Sequence, residues 1–179
     1  MNVRRSLSLV RTALLTLLAL CLMSCKAGSR EETVGAGLTG LDHLAEHLSI
    51  QEFSVNGTHG HQAGRGGRTV CCVSLPAKWR AGLTVNVRWG VTNWKRRVYS
   101  RYEREVPVEP YDEIGQLYVH FLHNGDVRVI TSMYAAWGRG GYYPGPSYDT
   151  VLRKHPWTVY NRKPDEPEFV QVPDAMEDE

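Results

Sequence analysis

The segment Leu83-Thr84-Val85-Asn86-Val87-Arg88-Trp89 alternates apolar and polar residues without a break, and it constrains the fold more than any other feature of the chain. Side chains along a strand point to opposite faces in turn, so Leu83, Val85, Val87 and Trp89 must face a core while Thr84, Asn86 and Arg88 face water. A strand of this kind belongs to a sheet with one wet face. Other short runs follow the same rule. Ser49 to Val55 leads into Asn56-Gly57, and Arg68 to Leu75 is mostly apolar and closed by Pro76. Lys95 to Glu105 sets Val98 and Tyr102 on one face among charges. Gln116 to His123 and Asp126 to Met133 flank Asn124-Gly125, the strongest short hairpin signal, where a type I′ turn with positive φ at both central residues is expected. Short strands separated by glycyl turns argue for an all-β domain, a small antiparallel β-sandwich or partly open barrel. At most one short helix is expected. Its place is Leu41 to Leu48, where Leu41, Leu44 and Leu48 share a side.

The N-terminus is of another kind. Residues 1–24 hold Arg4, Arg5 and Arg11, no acid, and then an apolar run from Thr12 to Met23. That is the layout of an export signal, and the run is shorter than the ~20 apolar residues a membrane-spanning helix needs. It ends in Leu22-Met23-Ser24-Cys25, a small residue directly before a cysteine, as in bacterial lipoprotein signals. Cys25 is therefore the expected lipidation site and the new N-terminus, with acyl chains holding the protein to a membrane. Lys26 follows, where an Asp would favour retention in the inner membrane, so the periplasmic face of the outer membrane is the expected address. The domain plan is then a signal at 1–24, a flexible tether at 25–36, one β-rich domain at 37–160 and an acidic disordered tail at 161–179.

Charge adds little. The formal net charge of +2 rests on the arginines of the signal, and seven of the 19 acids fall in residues 164–179. The body between is modestly basic, which suits an anionic partner in general. An exported chain does not meet the genome, so nucleic acid is not an expected partner.

Candidate chemistry is sparse. No Gly-x-Ser-x-Gly, His-Glu-x-x-His or phosphate loop is present, and Gly64-Arg65-Gly66-Gly67-Arg68 reads as a loop between strands. An enzyme is not expected, and neither is a cofactor. His59-Gly60-His61 and the His120/His123 pair supply two ligands each, short of the three or four a metal site needs, so no metal is expected. His120 reads instead as a satisfied, half-buried histidine. Cys71-Cys72 has three readings: two thiols with at least one buried in the core, a disulfide between neighbours, which regular strand alternation opposes, or an external redox or metal role. Trp94, Arg96, Arg97, Tyr99 and Arg101 mix aromatic rings with guanidinium groups, a composition found in protein-interface hot spots, and equally compatible with an ordinary solvated strand.

Ile50-Gln51-Glu52-Phe53-Ser54-Val55-Asn56-Gly57, then the stretch Gly66 to Trp89 with its double cysteine, Leu75-Pro76, Trp79 and Trp89, and later Leu117-Tyr118-Val119-His120-Phe121-Leu122, together resemble a family of small bacterial lipoproteins known as domain of unknown function 3304. The resemblance covers roughly residues 37 to 155. Leu41 to Leu48 departs from the family pattern, and nothing is carried over for it. The resemblance implies no catalysis. It implies a gene setting beside type VI secretion spike proteins and phospholipase toxins, and hence an immunity protein. The expected function is an outer-membrane-anchored periplasmic lipoprotein that binds a protein partner, a secreted lipase-type toxin. The alternative is a general envelope lipoprotein acting as scaffold or small-ligand binder.

Overall fold

The computed structural model describes residues 31–64, 68–138 and 141–152, together with the short strand at 170–171. The export signal, Cys25, the expected tether up to residue 30 and most of the acidic tail lie outside the described residues.

Among the described residues the domain is an all-β sandwich of two sheets with no closed barrel. One sheet has four strands: β1 (Thr33–Asp42), β4 (Val70–Pro76), β7 (Gln116–Phe121) and β8 (Val127–Ser132), in the order β4-β1-β7-β8. The other has five: β2 (Leu48–Val55), β3 (Thr58–His59), β5 (Thr84–Asn93), β6 (Val98–Pro107) and β9 (Val170–Gln171), in the order β3-β2-β5-β6-β9. Most neighbours are antiparallel, but β1 runs parallel to β7 and β6 parallel to β9, so the sheets are mixed. The alternation read in β5 holds. Val85, Val87 and Trp89 are buried, whereas Thr84 and Arg88 are exposed. They meet Ala36, Leu38, Leu117, Val119, Phe121 and Val129 of the facing sheet in one core. Phe121 joins the sheets most visibly, packing edge-on to Phe53 and tilted against Trp89.

Three expectations need correction. Leu41 to Leu48 is not a helix. Leu41 and Asp42 finish β1, pairing with β7, and the buried Asp42 carboxylate accepts from the backbone N–H of Leu44 (2.9 Å) and Ile50 (3.1 Å). A long strand pairing outweighs a helix too short to offset its own nucleation. The tether also ends earlier than residue 36, because Thr33 is already paired with Pro76. In the tail, Val170 and Gln171 add a strand to β6.

The turns divide by chemistry. At Asn56-Gly57 both residues have positive φ (48° and 81°) and Val55 pairs with Thr58, which is the I′ hairpin. At Asn124-Gly125 only Gly125 is left-handed (φ 82°), and Leu122 N–H donates to the Asp126 carbonyl. This is a three-residue loop with glycine in the left-handed position. The Asn124 side chain forms it by accepting from Asp126 N–H at 3.1 Å and donating to the Asp126 carboxylate at 2.7 Å.

Candidate functional site

Two polar constellations stand out, one on the outer face of each sheet.

On the five-stranded sheet, cross-strand register lines up Ser54, Arg88 and Glu103 in one row and Glu52, Gly90 and Arg101 in the next. A bulge in β2 between Ile50 and Glu52 turns Glu52 to the outside while Ile50 stays in the core. Gly90 has no side chain, and the ring of Tyr99 fills the place; a Cβ at 90 would collide with it. Tyr99 OH donates to Glu52, whose carboxylate also lies 3.4 Å from Arg101 Nε. Burial, and then the hydrogen bond to Glu52, raise the Tyr99 phenol above its ordinary value. In the next row Arg88 pairs with Glu103 at 3.0 Å, and Asn86 donates to Glu103 and Glu105. Hydrogen bonds from Asn86 and Arg88 hold the Glu103 carboxyl below its usual range. These rows floor an open groove of about 710 Å³, lined by Glu52, Ser54, His59, Arg88, Arg101 and Glu103 with the residues between them.

The five residues picked out as an aromatic–arginine cluster separate in space. Tyr99 and Arg101 lie on this outer face, and Arg101 lines the groove. Trp94, Arg96 and Arg97 belong to the β5–β6 turn, where Arg97 has φ 56°. Trp94 is half-buried, its indole N–H donating to Ser49 Oγ at 2.8 Å. Ser49 sits on the same outer face, opposite Thr92. The turn thus adjoins the groove's sheet but does not line the groove.

The outer face of the four-stranded sheet is covered. The chain after β8 folds back over it, and Ala136 and Val151 pack with Leu41 and Tyr118 in a second, small apolar cluster flanked by Tyr143 and Tyr148. Beneath this cover lies a chain of hydrogen bonds. Thr150 Oγ1 donates to the Ser147 carbonyl (2.7 Å), so it accepts from His43 Nδ1–H at 2.8 Å. A neutral His43 then accepts at Nε2 from His120 Nδ1–H, also 2.8 Å, and His120 accepts at Nε2 from the Tyr143 hydroxyl. The tautomers follow from the partners, and all the groups are satisfied without a charge. His120 is fully buried, deeper than half-buried as its strand position promised. Burial first, then the neighbouring His43 and Arg128, depress its pKa to about 3. Arg128, opposite His120 on β8, is held by Glu109 through two bonds of 2.6 and 3.0 Å. Burial pushes the Tyr143 phenol far up. With both histidine rings occupied in neutral hydrogen bonds, this arrangement holds the covering segment to the sheet.

Cys71 and Cys72 are disulfide-bonded to each other and both exposed, so the reading of a buried thiol is overturned. The register explains it. Val73 pairs with Ala36 and Val70 with Leu38, which sets two β4 residues against Gly37 alone. This bulge breaks the alternation that would have sent one cysteine inward. His61 bonds Arg68, and no group of three or more His, Cys, Asp or Glu side chains suited to a metal occurs among the described residues.

The sheets and groove define a small β-sandwich with one covered and one open outer face. Residues 45–129 match a family model described as protein of unknown function (DUF3304), which supports the resemblance read from the sequence. The match takes in the whole groove and His120, but neither His43 nor the covering segment. No curated protein and no solved structure matches the chain.

Proposed function

We propose that this protein is a lipid-anchored, non-enzymatic binding protein of the cell envelope, attached through Cys25 and facing the periplasm from the outer membrane. Its partner is a secreted lipase-type toxin of a type VI system, which it neutralises as an immunity protein. The observation that carries the binding reading is the groove on the five-stranded sheet. Arg101 and Glu52 keep 65% and 55% of their side-chain surface exposed, and Arg88 and Glu103 65% and 50%, yet each is paired across strands. Such groups are reachable by a partner but already oriented, which lowers the ordering cost of binding. Arginine and tyrosine are the side chains that most often anchor interfaces, and Tyr99 and Arg101 supply both at one spot. A standard interface of about 1,600 Å² around such anchors can reach nanomolar affinity, roughly −12 kcal/mol. The toxin's identity and the neutralising role rest on the family resemblance.

The test uses the full chain with the toxin encoded beside its gene. One-to-one inhibition is expected, with Arg101→Glu weakening it while circular dichroism stays unchanged. Cells lacking the gene should become sensitive to siblings delivering that toxin. If they survive unharmed and the protein neither binds nor inhibits the toxin, the neutralising role is wrong and a scaffold or small-ligand role replaces it.

A further inference from the structure

The disulfide Cys71–Cys72 joins neighbours in the chain and lies exposed on β4, an edge strand. In the chain-entropy account a disulfide stabilises a fold by closing a loop in the unfolded chain, with an effect that grows with loop length. Between adjacent residues there is no loop to close, so this bond does not staple distant parts together. It does not fill the core either, since both residues point to solvent while Val73 and Leu75 of the same strand point inward. What an exposed disulfide does offer is a sulfur that a thiolate can reach.

We propose that Cys71–Cys72 is a thiol–disulfide exchange site whose co-reactant is a dithiol, carried by another protein in the cell. A thiolate of the dithiol attacks one sulfur, the Cys71–Cys72 bond breaks, a mixed disulfide forms, and the other cysteine leaves as a thiolate that takes up a proton. The second thiol of the dithiol, once deprotonated, attacks the mixed disulfide and releases the remaining cysteine. The pair gains two electrons and two protons, and the dithiol becomes a disulfide. Cys72 is backed by β1: a Cβ built on Gly35 would stand 3.3 Å from its Cβ and 3.7 Å from its Sγ. Attack therefore falls on Cys71, with Cys72 as the leaving group. The Cys72 carbonyl accepts from Thr58 Oγ1 at 3.2 Å, so the site adjoins the β2–β3 hairpin, whose Gly57 and His59 line the groove. Exchange does not require an occupant in the groove.

The full chain, isolated from aerobically grown cells under a thiol-blocking reagent, should carry no blocking group on Cys71 or Cys72. Dithiothreitol followed by alkylation should then add one group to each, as read by peptide mass mapping, with no change in circular dichroism. With a thiopyridyl disulfide as probe, the lone Cys71 of the Cys72→Ser variant should react about tenfold faster than the lone Cys72 of Cys71→Ser. Blocked thiols in the protein as isolated, or reduction that occurs only once the domain unfolds, would overturn the exchange site. Equal rates for the two single variants would overturn Cys71 as the point of attack. A Cys71→Ser/Cys72→Ser variant that no longer folds would show the bond to be structural.

Discussion

The histidine chain beneath the covering segment makes the stability of this domain depend on acid in a way that can be worked out in advance. An unfolded chain exposes His120 with its ordinary pKa near 6.5, whereas the folded protein holds it at about 3. Between those values the unfolded state binds a proton that the folded state refuses. Stability from this group is therefore fully present above pH 6.5 and is lost as pH falls towards 3. Each pH unit of that window is worth about 1.4 kcal/mol, so roughly 3 kcal/mol is gone by pH 4. The side chain is fully buried, so solvent screening does not reduce the figure. Acids elsewhere titrate in the same range, and the comparison must cancel them. His120→Gln does so. Its amide can still donate towards His43 and accept from Tyr143, but it cannot take a proton. Urea unfolding of both proteins at pH 7, 5.5 and 4 should show the wild type stronger at pH 7, with the gap closing by about 3 kcal/mol at pH 4. If the gap stays constant across that range, the folded protein protonates His120 as readily as the unfolded chain does, and the assignment of neutral tautomers along the chain fails.

Other perturbations are equally specific. Val87→Asp places a carboxylate in the centre of the sandwich with no partner, and should cost several kcal/mol or abolish folding, as read by thermal melts. Gly125→Val asks a β-branched residue to take φ near 82° and should destabilise by about 1–2 kcal/mol or more in the same assay. Gly90→Ala should swing Tyr99 away from Glu52, costing about 1–2 kcal/mol by denaturant unfolding and weakening toxin binding in calorimetry. Cys25→Ser should leave the chain unacylated, and an intact mass showing that the wild type carries no lipid at Cys25 would refute the anchor.

How far the sequence could be read depended on whether a feature was local. The alternation of β5 needs only neighbouring residues, and Val85, Val87 and Trp89 fell where it put them. The Asn-Gly pairs marked both hairpins, but the turn type depends on which strand residues pair. Val55 with Thr58 closes a two-residue loop, and Leu122 with Asp126 a three-residue one. The helix expected at Leu41 failed because its leucines serve two clusters on opposite faces of a sheet, Leu41 the small one and Leu44 the main core. The histidine chain was invisible for a related reason. His43 and His120 are 77 residues apart and meet only because β1 lies parallel beside β7, a pairing that no short-range pattern encodes. The cysteine bulge depends on Gly37 of another strand. Of the aromatic–arginine cluster, the β-period alone separates Tyr99 and Arg101, two apart on one face, from the turn that holds Trp94 to Arg97.

Which side of the sandwich can meet a partner follows from where the chain goes after β8. A sheet facing water on its outside needs polar residues there, and β5 and β6 supply them in paired rows from Asn86 to Arg101. The four-stranded sheet does not. Its outer positions include Leu41, Tyr118 and Ile130, all buried, and they require a lid. The lid is built from Ala136 and residues 141–151, and its inner side is fastened by hydroxyls of Tyr143 and Thr150 to the two histidines. Removing it would expose apolar surface and take from His43 Nδ1 and His120 Nε2 the hydroxyls they bond, a loss that no incoming protein could offset without reproducing the same bonds. Among the described residues, nothing comparable lies across the rows of Glu52, Arg88, Arg101 and Glu103. A partner that docks without first dismantling the fold therefore finds its surface on the five-stranded sheet, and substitutions there should change binding while those beneath the lid change stability.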